Sequence, residues 1–475
     1  MKRSAYSKFS LIIRQAKIHI SRLLLKNGLI KYADKTKFAM KIDLIINNAV
    51  QLVTCASNGK AKRGAEMQTV GIVENGALAI NDGVIVGVGK SGEINRQFKS
   101  ENVIDARGKV VCPAFVDPHT HIVFAGDRLD EFELKIKGAD YLEILENGGG
   151  IISTVRQTRE ASLNNLTEQS RQRLDKMLAH GTCTAEIKTG YGLDTETELK
   201  MLEAIAILDQ SHQIDLIPTF LPAHAVPPEY KSQLKSNSDK YVNLICEEML
   251  PKAVEWFKHS HFYQNQALDS RHSALHFFID VFCEKNAFSL EQSKKVLETG
   301  KTLGFKLKAH VDEFTNLGAA RLAIGLGATS IDHLDATSDE EIELLAGSET
   351  IGIVTPTVNF NFGAKDFADA RKMIDAGCAI AVSTDYNPGS APCPSQPLAM
   401  AIACRYQKLL PSEAFNAVTI NAACAVGSGS TVGSLEVGKQ ADILILATND
   451  YRQTAYEFGG NLVETVIKKG KIVVG

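Results

Sequence analysis

Two histidines separated by one residue, His119 and His121, follow an apolar run in the segment Asp-Pro-His-Thr-His. In an extended chain, residues i and i+2 project from the same face, so both imidazoles can point at one position. Neutral imidazole nitrogens suit zinc or ferrous iron, and a hydrolytic centre also leaves a coordination position open for water. The pair therefore predicts a hydrolytic metal centre.

By itself the His-x-His pattern is a weak signal, because His259 and His261 form a second copy in a polar stretch. Exposed polar loops seldom build closed sites, so we predict that this second pair lies on the surface. For the first pair, His310 and Asp385 from distant strands would complete a shell of three histidines and one aspartate. Water bound in such a shell ionises near neutral pH and supplies hydroxide without a strong protein base.

The elements that must position these residues alternate along the middle of the chain. Apolar, β-rich runs are separated by helical patterns, which is typical of parallel βαβ units. Eight units predict a (β/α)₈ TIM-like barrel of the α/β class, whose active site lies at the carboxyl ends of the strands. The predicted strands are Val110–Val116, Thr182–Lys188, Asp215–Leu221, Phe278–Phe282, Phe305–Ala309, Ala328–Ile331, Ile351–Thr355 and Ala379–Ser383.

Seven of these eight runs end in polar residues that are able to do chemistry. A single strand-end histidine, such as His310 or His333, is most simply a core residue whose hydrogen bonds are satisfied. The joint occurrence of such polar residues at one end of a barrel instead favours an active site. The strand-end residues are His119, His121, Lys188, Tyr191, His224, Glu284, His310, Glu313, His333 and Asp385.

Both ends of the chain have a different pattern. Short β-like stretches with glycine-containing turns fill residues 41–112, and similar stretches recur at Ala441–Leu446 and Val463–Val474. We therefore predict a small β-sandwich domain built from both termini, residues 40–112 and 420–475.

The remaining predicted units are the barrel, residues 113–419, and an N-terminal extension, residues 1–39. The extension contains ten Lys and Arg residues but only one acidic residue, Asp34. Since Met40 begins a β-like segment, we expect residues 1–39 to lie outside the fold.

Composition limits the class of partner. The net charge is −3 and the sequence pI is near 6.5, so no overall field favours nucleic acid or an anionic membrane. No apolar stretch is long enough to cross a bilayer. The nine cysteines are scattered without a Cys-x-x-Cys pair, which indicates a reducing compartment. We expect a cytoplasmic homodimer that acts on a small molecule.

Longer motifs surround the strand-end residues. They include His-Thr-His-Ile-Val-Phe-Ala-Gly-Asp-Arg128, Glu-Ile-Lys-Thr-Gly-Tyr191-Gly-Leu, Pro-Ala-His224-Ala-Val-Pro-Pro, Ala-His310-Val-Asp-Glu-Phe and Thr-Asp385-Tyr-Asn-Pro-Gly-Ser. With the segment Val-Asp-Pro-His-Thr-His, this set resembles the amidohydrolase superfamily and, within it, the imidazolonepropionase family. The resemblance covers residues 41–475.

The resemblance implies that the cyclic amide of 4-imidazolone-5-propanoate is hydrolysed to N-formimidoyl-L-glutamate, a step of histidine degradation. It implies one divalent metal per chain, zinc or alternatively iron, held by His119, His121, His310 and Asp385. The implied catalytic residues are His333, Asp385, Glu313 and His224. The implied substrate contacts are Arg128, Tyr191, His224, Glu313, Asn387, Gly389 and Ser390, with Tyr141 as a secondary contact.

The residue types suit that substrate. Arg128 offers a bidentate fork to the propanoate carboxylate, and Tyr191 offers a hydroxyl donor. The metal together with His224 or His333 can polarise the ring carbonyl. Glu313 can accept a hydrogen bond from a ring N–H.

Two alternatives remain open. A deaminase of the same superfamily, acting on a nucleobase-like ring, would share the His-x-His, Glu313 and Asp385. In either hydrolysis Asp385 could also carry the proton of the attacking water. Such an enzyme needs no cationic clamp for a carboxylate, so Arg128 with Tyr191 argues against it. A non-catalytic scaffold would have lost metal ligands that this sequence retains.

Overall fold

The computed structural model describes residues 39–138, 149–231, 236–268 and 277–475. The prediction for the extension and the one for Tyr141 fall outside the described residues. All nine cysteines lie within them as free thiols. In the described part of the chain, no helix is both long enough and apolar enough to span a membrane.

A mixed sheet of eight strands forms the small domain and draws on both ends of the chain, as predicted. Strand Ile443–Leu446 pairs antiparallel with Val110–Pro113, which in turn pairs parallel with Leu44–Val53. A short parallel pair, Met40–Lys41 with Phe98–Lys99, lies beside it. The other strands of the sheet are Ile72–Asn81, Val84–Lys90, Val103–Asp105, Val463–Lys468 and Lys471–Val474.

The predicted barrel is also confirmed, as eight parallel strand positions in sequential order. The sheet closes where Thr120 bridges Tyr386, and the N–H of His121 donates to the carbonyl of Tyr386 at 2.9 Å. Every residue of Thr182–Lys188 is buried, because helices and the barrel interior cover the two faces of a parallel sheet. The strands are Phe115–Asp117, Thr182–Lys188, Asp215–Ala223, Phe278–Cys283, Lys306–Leu307 with His310–Val311, Ser330–His333, Ile351–Val354 and Ile380–Val382.

The predicted first barrel strand, Val110–Val116, is wrong in one respect. The structure divides this run between two sheets at Ala114, whose N–H donates to the Asp442 carbonyl at 3.0 Å. Phe115 then donates to the Gly181 carbonyl at 3.0 Å and enters the barrel. Both halves are equally buried, so their apolarity could not reveal which sheet each one joins.

The helices that separate the barrel strands begin at capping residues. The side chains of Ser162, Asp194 and Ser289 each accept a hydrogen bond from the backbone N–H three residues later, which satisfies an otherwise unpaired donor. The α-helices span Ser91–Gln97, Leu129–Ile136, Ile151–Glu160, Leu163–Ala179, Thr195–Ser211, Ser236–Leu244, Leu250–His259, His261–Leu268, Leu290–Thr302, Ala319–Leu326, Asp339–Ala346, Pro356–Phe362, Ala370–Asp375, Gln396–Tyr406, Pro411–Ala417, Ile420–Ala425 and Gln453–Tyr456. Shorter helical turns are Gly64–Gln68, Pro228–Tyr230 and Ile245–Met249.

Helix Ile420–Ala425, which begins at the predicted boundary between the barrel and the small domain, packs on the barrel strands. Ala422 and Ala425 of helix Ile420–Ala425 pack with Val116, Ile353 and Ala381 of the barrel strands. The predicted domain boundaries stay predictions.

Candidate active site

The four predicted metal ligands converge at the carboxyl ends of the barrel strands. The Nε2 atom of His121 lies 3.2 Å from Nε2 of His119 and 3.3 Å from Nε2 of His310. Oδ1 of Asp385 lies 3.5 Å from Nε2 of His119 and 3.6 Å from Nε2 of His121. All four residues are buried. His119, His121 and His310 thus form one trio of mutually close donor atoms, and Asp385 belongs to a second trio with His119 and His333.

These distances fit a metal ion. With zinc–ligand bonds of about 2.0–2.1 Å, neighbouring donors of a tetrahedral site lie about 3.3–3.4 Å apart. Three imidazole nitrogens that face each other cannot all be satisfied by hydrogen bonds among themselves. Oδ1 of Asp385 is buried without a hydrogen-bond partner among the described residues. A cation between these atoms would satisfy the whole set.

Burial sets the charge of the site. It lowers the pKa of His119 and His121 well below the usual range, so both imidazoles are neutral and able to ligate. It raises the pKa of Asp385 well above that of an exposed aspartate. A bound divalent cation reverses this last preference, because its charge stabilises the carboxylate. The pocket therefore favours a cation over an empty cluster.

The structure also shows what positions the first and eighth strands. Asp117 accepts hydrogen bonds from the hydroxyls of Ser383 and Thr384, each at 2.5 Å, immediately before Asp385. The Ser383 hydroxyl is also 2.6 Å from the carbonyl of His119. This network ties the two ligand-bearing segments together across the closure of the barrel.

His333 and Glu313 form the next layer of the site. Nδ1 of His333 is 3.1 Å from the Thr355 hydroxyl, while its Nε2 has no hydrogen-bond partner in the described chain and lies 3.9 Å from Oε2 of Glu313. Burial, followed by the nearby Asp385, raises the pKa of Glu313 well above its ordinary value. Both groups are thus placed to exchange hydrogen bonds or a proton with a molecule in the cleft.

His224 and Tyr191 line another side of the cleft. The imidazole of His224 stacks on that of His121, with centroids 4.9 Å apart, and its Nδ1 lies 3.0 Å from the Gly190 carbonyl. Nδ1 must therefore carry a proton, which leaves Nε2 as an acceptor, and burial lowers the pKa of His224 to about 3. Glu198 holds the loop that carries Tyr191 by accepting the N–H groups of residues 190, 192 and 193.

Arg128 lies at the rim of the same cleft. Its Nε donates to the Thr154 hydroxyl at 3.0 Å, and its Nη1 is 3.4 Å from Oε1 of Glu131. Glu131, three residues along the chain, is thus an acidic partner of this guanidinium. The adjacent Asp127 instead accepts the N–H of Leu129. Glu131 is shared with Lys135, so the long contact leaves Arg128 with donors for a ligand.

The predicted substrate contacts Asn387, Gly389 and Ser390 form one compact turn. Oδ1 of Asn387 accepts the N–H groups of Gly389 and Ser390, each at 2.8 Å, and its Nδ2 donates to the Ser390 hydroxyl at 2.6 Å. A Cβ on Gly389 would lie 2.2 Å from Nη1 of Arg128, so only glycine leaves room for the guanidinium there. The turn therefore fixes where Arg128 can sit.

Gly389→Ala is expected to lower kcat/KM by about tenfold through displacement of Arg128, with most of the loss in KM. The backbone of Gly389 has an ordinary φ, so the substitution strains the guanidinium contact and not the main chain. Steady-state kinetics would measure the effect, with Gly92→Ala as a control in open space. Unchanged kinetics in Gly389→Ala would show that the position of Arg128 does not matter for turnover.

The cleft brings nearly all predicted site residues together in about 420 Å³. His119 lies beneath its floor, and Tyr141 lies outside the described residues. Of the second pair, which was predicted to lie on the surface, His259 is exposed and contacts the Glu255 carbonyl, whereas His261 is partly buried and contacts Asp209. The predicted residues that line the cleft are His121, Arg128, Tyr191, His224, His310, Glu313, His333, Asp385, Asn387, Gly389 and Ser390.

Sequence reasoning missed a layer of charged residues under the ligands, including Asp280 and Asp332. Oδ2 of Asp332 lies 2.6 Å from Nδ1 of His119, and Oδ2 of Asp280 lies 3.0 Å from Nδ1 of His310. The second contact has the length of a hydrogen bond but not its direction. The alternation of side chains between the two faces of a strand could have identified these residues, because they occupy inward-facing positions.

Comparison with known proteins places these features in a family. Residues 282–473 match the amidohydrolase family. Over 91% of its length, the chain is 50% identical to the imidazolonepropionase of Chloroflexus aggregans, of which it covers 98%, and 47% identical to that of Herpetosiphon aurantiacus, of which it covers 97%.

Among solved structures, an adenosine deaminase from Xanthomonas campestris with bound zinc has a TM-score of 0.65 at 18% identity, with 92% of this chain and 94% of that one covered. The Escherichia coli guanine deaminase has a TM-score of 0.64 at 16% identity, with 90% and 98% covered. At this level of identity, the likeness concerns the fold.

Proposed function

The chain belongs to the imidazolonepropionase family of the amidohydrolases, and from this premise we propose that it hydrolyses the cyclic amide of 4-imidazolone-5-propanoate to N-formimidoyl-L-glutamate. The observation that carries the proposal is one cleft that is lined both by Arg128 and by a cluster of histidines with Asp385. The guanidinium of Arg128 can pair with the propanoate carboxylate, and the histidine–aspartate cluster can act on the ring amide.

We propose that His119, His121, His310 and Asp385 hold a divalent metal, with zinc as the ion and one ion per chain. When bound, such an ion supplies Lewis-acid polarisation of the carbonyl and lowers the pKa of coordinated water. The nitrogen-rich donor set favours zinc. Lys188, whose Nζ lies 2.6 Å from Asp280 and 3.3 Å from Asp332, occupies the carboxylates that a second ion would need.

Treatment with a chelator should therefore remove one equivalent of metal per chain together with the activity. Elemental analysis of the same sample before and after treatment would give the stoichiometry. Activity should return with added zinc. Retention of full activity in the metal-free protein would contradict the metal proposal.

The chain's own residues then have separate roles in the reaction. Arg128 and Tyr191 bind the propanoate tail and thereby orient the ring. Oδ1 of Asp385 or Nε2 of His333 receives the proton of the attacking water and returns it to the leaving ring nitrogen. Glu313, whose raised pKa lets it hold a proton, exchanges hydrogen bonds with the ring, and His224 contacts the ring carbonyl.

The test is to incubate the purified protein with 4-imidazolone-5-propanoate and to analyse both the organic product and ammonia. Cyclic amide hydrolysis adds one water to the substrate and releases no ammonia, whereas a deaminase releases one ammonia per turnover. A product heavier by one water, without ammonia, supports the proposal. Release of ammonia, or turnover only of nucleobases, would favour the deaminase alternative.

We propose further that the chain works in the cytoplasm as a homodimer. The free thiols support a reducing compartment. On helix Leu129–Ile136, the side chains of Leu129, Phe132 and Ile136 are exposed at one-turn spacing, which supports burial against a second copy. Sedimentation equilibrium would test this, since a dimer has twice the chain mass of 51.6 kDa.

A further inference from the structure

A buried lysine lies directly beneath the predicted ligand histidines. Nζ of Lys188 is 2.6 Å from Oδ2 of Asp280 and 3.3 Å from Oδ2 of Asp332. These same two oxygens are the ones that contact Nδ1 of His310 at 3.0 Å and Nδ1 of His119 at 2.6 Å. The ammonium is thus one atom removed from two ligands that come from different strands.

We propose that Lys188 is a positioning residue that, through Asp280 and Asp332, fixes the tautomer and ring orientation of His310 and His119. This inference rests on the proposed metal centre. It does not depend on the identity of the substrate.

The chemistry of an imidazole explains why a fixed tautomer matters. A histidine that ligates through Nε2 must carry its proton on Nδ1, and an acceptor at Nδ1 enforces that arrangement. Asp332 is such an acceptor for His119, and Oδ2 of Asp280 lies 3.0 Å from Nδ1 of His310 without the direction of a hydrogen bond. Lys188 donates to the oxygen of each carboxylate that faces a histidine ring, and this contact fixes the position of that oxygen.

The remaining contacts of both carboxylates point the same way. Oδ1 of Asp332 accepts the Ser330 hydroxyl at 2.8 Å, and Oδ1 of Asp280 accepts the backbone N–H groups of Val281 at 2.7 Å and of His310 at 3.2 Å. Each carboxylate is therefore held at one oxygen by neutral donors, while the other oxygen is shared between Lys188 and a histidine. Loss of the ammonium would free that oxygen to rotate away from the ring.

The chain supplies its own matched control. Lys308 is as fully buried as Lys188, and its Nζ lies 2.9 Å from Oε2 of Glu186 and 3.0 Å from the Pro118 carbonyl. Lys188 also contacts Glu186, at 3.1 Å. The two lysines thus share one partner, and only Lys188 contacts the carboxylates at the ligand histidines.

The experiment compares the zinc affinity of Lys188→Met and Lys308→Met with that of the unmodified protein, by competition with a chelator of known affinity. Circular dichroism and the melting temperature report on the fold. We expect Lys188→Met to weaken zinc binding by about 10–100-fold, the range for residues that orient metal ligands. Lys308→Met should fall within about threefold of the unmodified protein, even where its melting temperature drops.

A double-mutant cycle tests whether Lys188 acts on the histidine through Asp332. Asp332→Asn preserves the shape of the side chain but removes the charge that Lys188 contacts. If Lys188 acts through the carboxylates, Lys188→Met should weaken zinc binding less in the Asp332→Asn background than in the unmodified protein. Additive effects would overturn the proposal.

Other outcomes have equally definite meanings. Normal zinc affinity in a folded Lys188→Met, or an equal loss in Lys308→Met, would reduce Lys188 to a structural role. Should Lys188→Met fail to fold, the single variants Asp280→Asn and Asp332→Asn replace it, and wild-type zinc affinity in both would overturn the proposal. Absence of zinc binding in the unmodified protein would instead overturn the proposed metal centre.

Discussion

His121→Ala is expected to lower kcat by about 10³-fold or more while the protein stays folded. Its Nε2 lies 3.2 Å from Nε2 of His119 and 3.3 Å from Nε2 of His310, so its removal takes away a donor and opens the shell. A metal contributes several kcal/mol of transition-state stabilisation, and each 1.36 kcal/mol corresponds to a factor of ten in rate. A large barrel keeps its core without the ion, so the melting temperature of the metal-free variant should stay close to that of the metal-free unmodified protein.

The control is His259→Ala, which removes the first histidine of the other His-x-His pair. That imidazole is exposed, and within the described residues its hydrogen-bond contact is with the Glu255 carbonyl of its own helix. Kinetics, metal content and circular dichroism should be normal in this variant. Full activity in metal-free His121→Ala would disprove the ligand assignment, whereas an unfolded His121→Ala would assign the residue to the core.

Arg128→Met is expected to reduce kcat/KM on 4-imidazolone-5-propanoate by about 10²-fold or more. This is the size expected for loss of a charge-assisted contact of about 3 kcal/mol. An imidazolone without the propanoate tail should be turned over about equally poorly by the unmodified protein and the variant, because neither can use the contact. The measurement is kcat/KM for both substrates with both proteins.

The contact between Arg128 and Glu131 requires its own control. Glu131→Gln removes the charge partner of Arg128 but leaves the guanidinium in the cleft. It should cost much less activity on the full substrate than Arg128→Met. An equal loss in both variants, or a loss on both substrates alike, would show that Arg128 supports the start of helix Leu129–Ile136 instead of binding the tail.

The local sequence was informative wherever the alternation of side chains along a strand, or a position at a strand end, was enough to place a residue. His119 and His121 are adjacent by spacing alone, and the residues that end the later strands had to meet at one face because parallel strands of a barrel share their direction. His310, His333 and Asp385 therefore could be placed together without any knowledge of their distances. Their roles as ligands or catalytic groups stay predictions.

Other features depended on which strand lies beside which, and at what register. The division of Val110–Val116 between two sheets follows from partners at Gly181 and Asp442, which are far away in sequence. The need for glycine at position 389 follows from a guanidinium that arrives from residue 128. No local pattern encodes such a contact, since it exists only once the barrel is closed.

The sequence by itself determined the strand–helix alternation, the small domain from both termini and the set of chemically able strand ends, because periodicity and residue type act over a few neighbouring residues. Only the tertiary structure decided that Asp280 and Asp332 support His310 and His119, and that Lys188 lies between them. The physical reason is burial. Charges of opposite sign can remain inside a barrel only when three-dimensional packing brings them within hydrogen-bond distance, and that pairing is a property of the closed sheet.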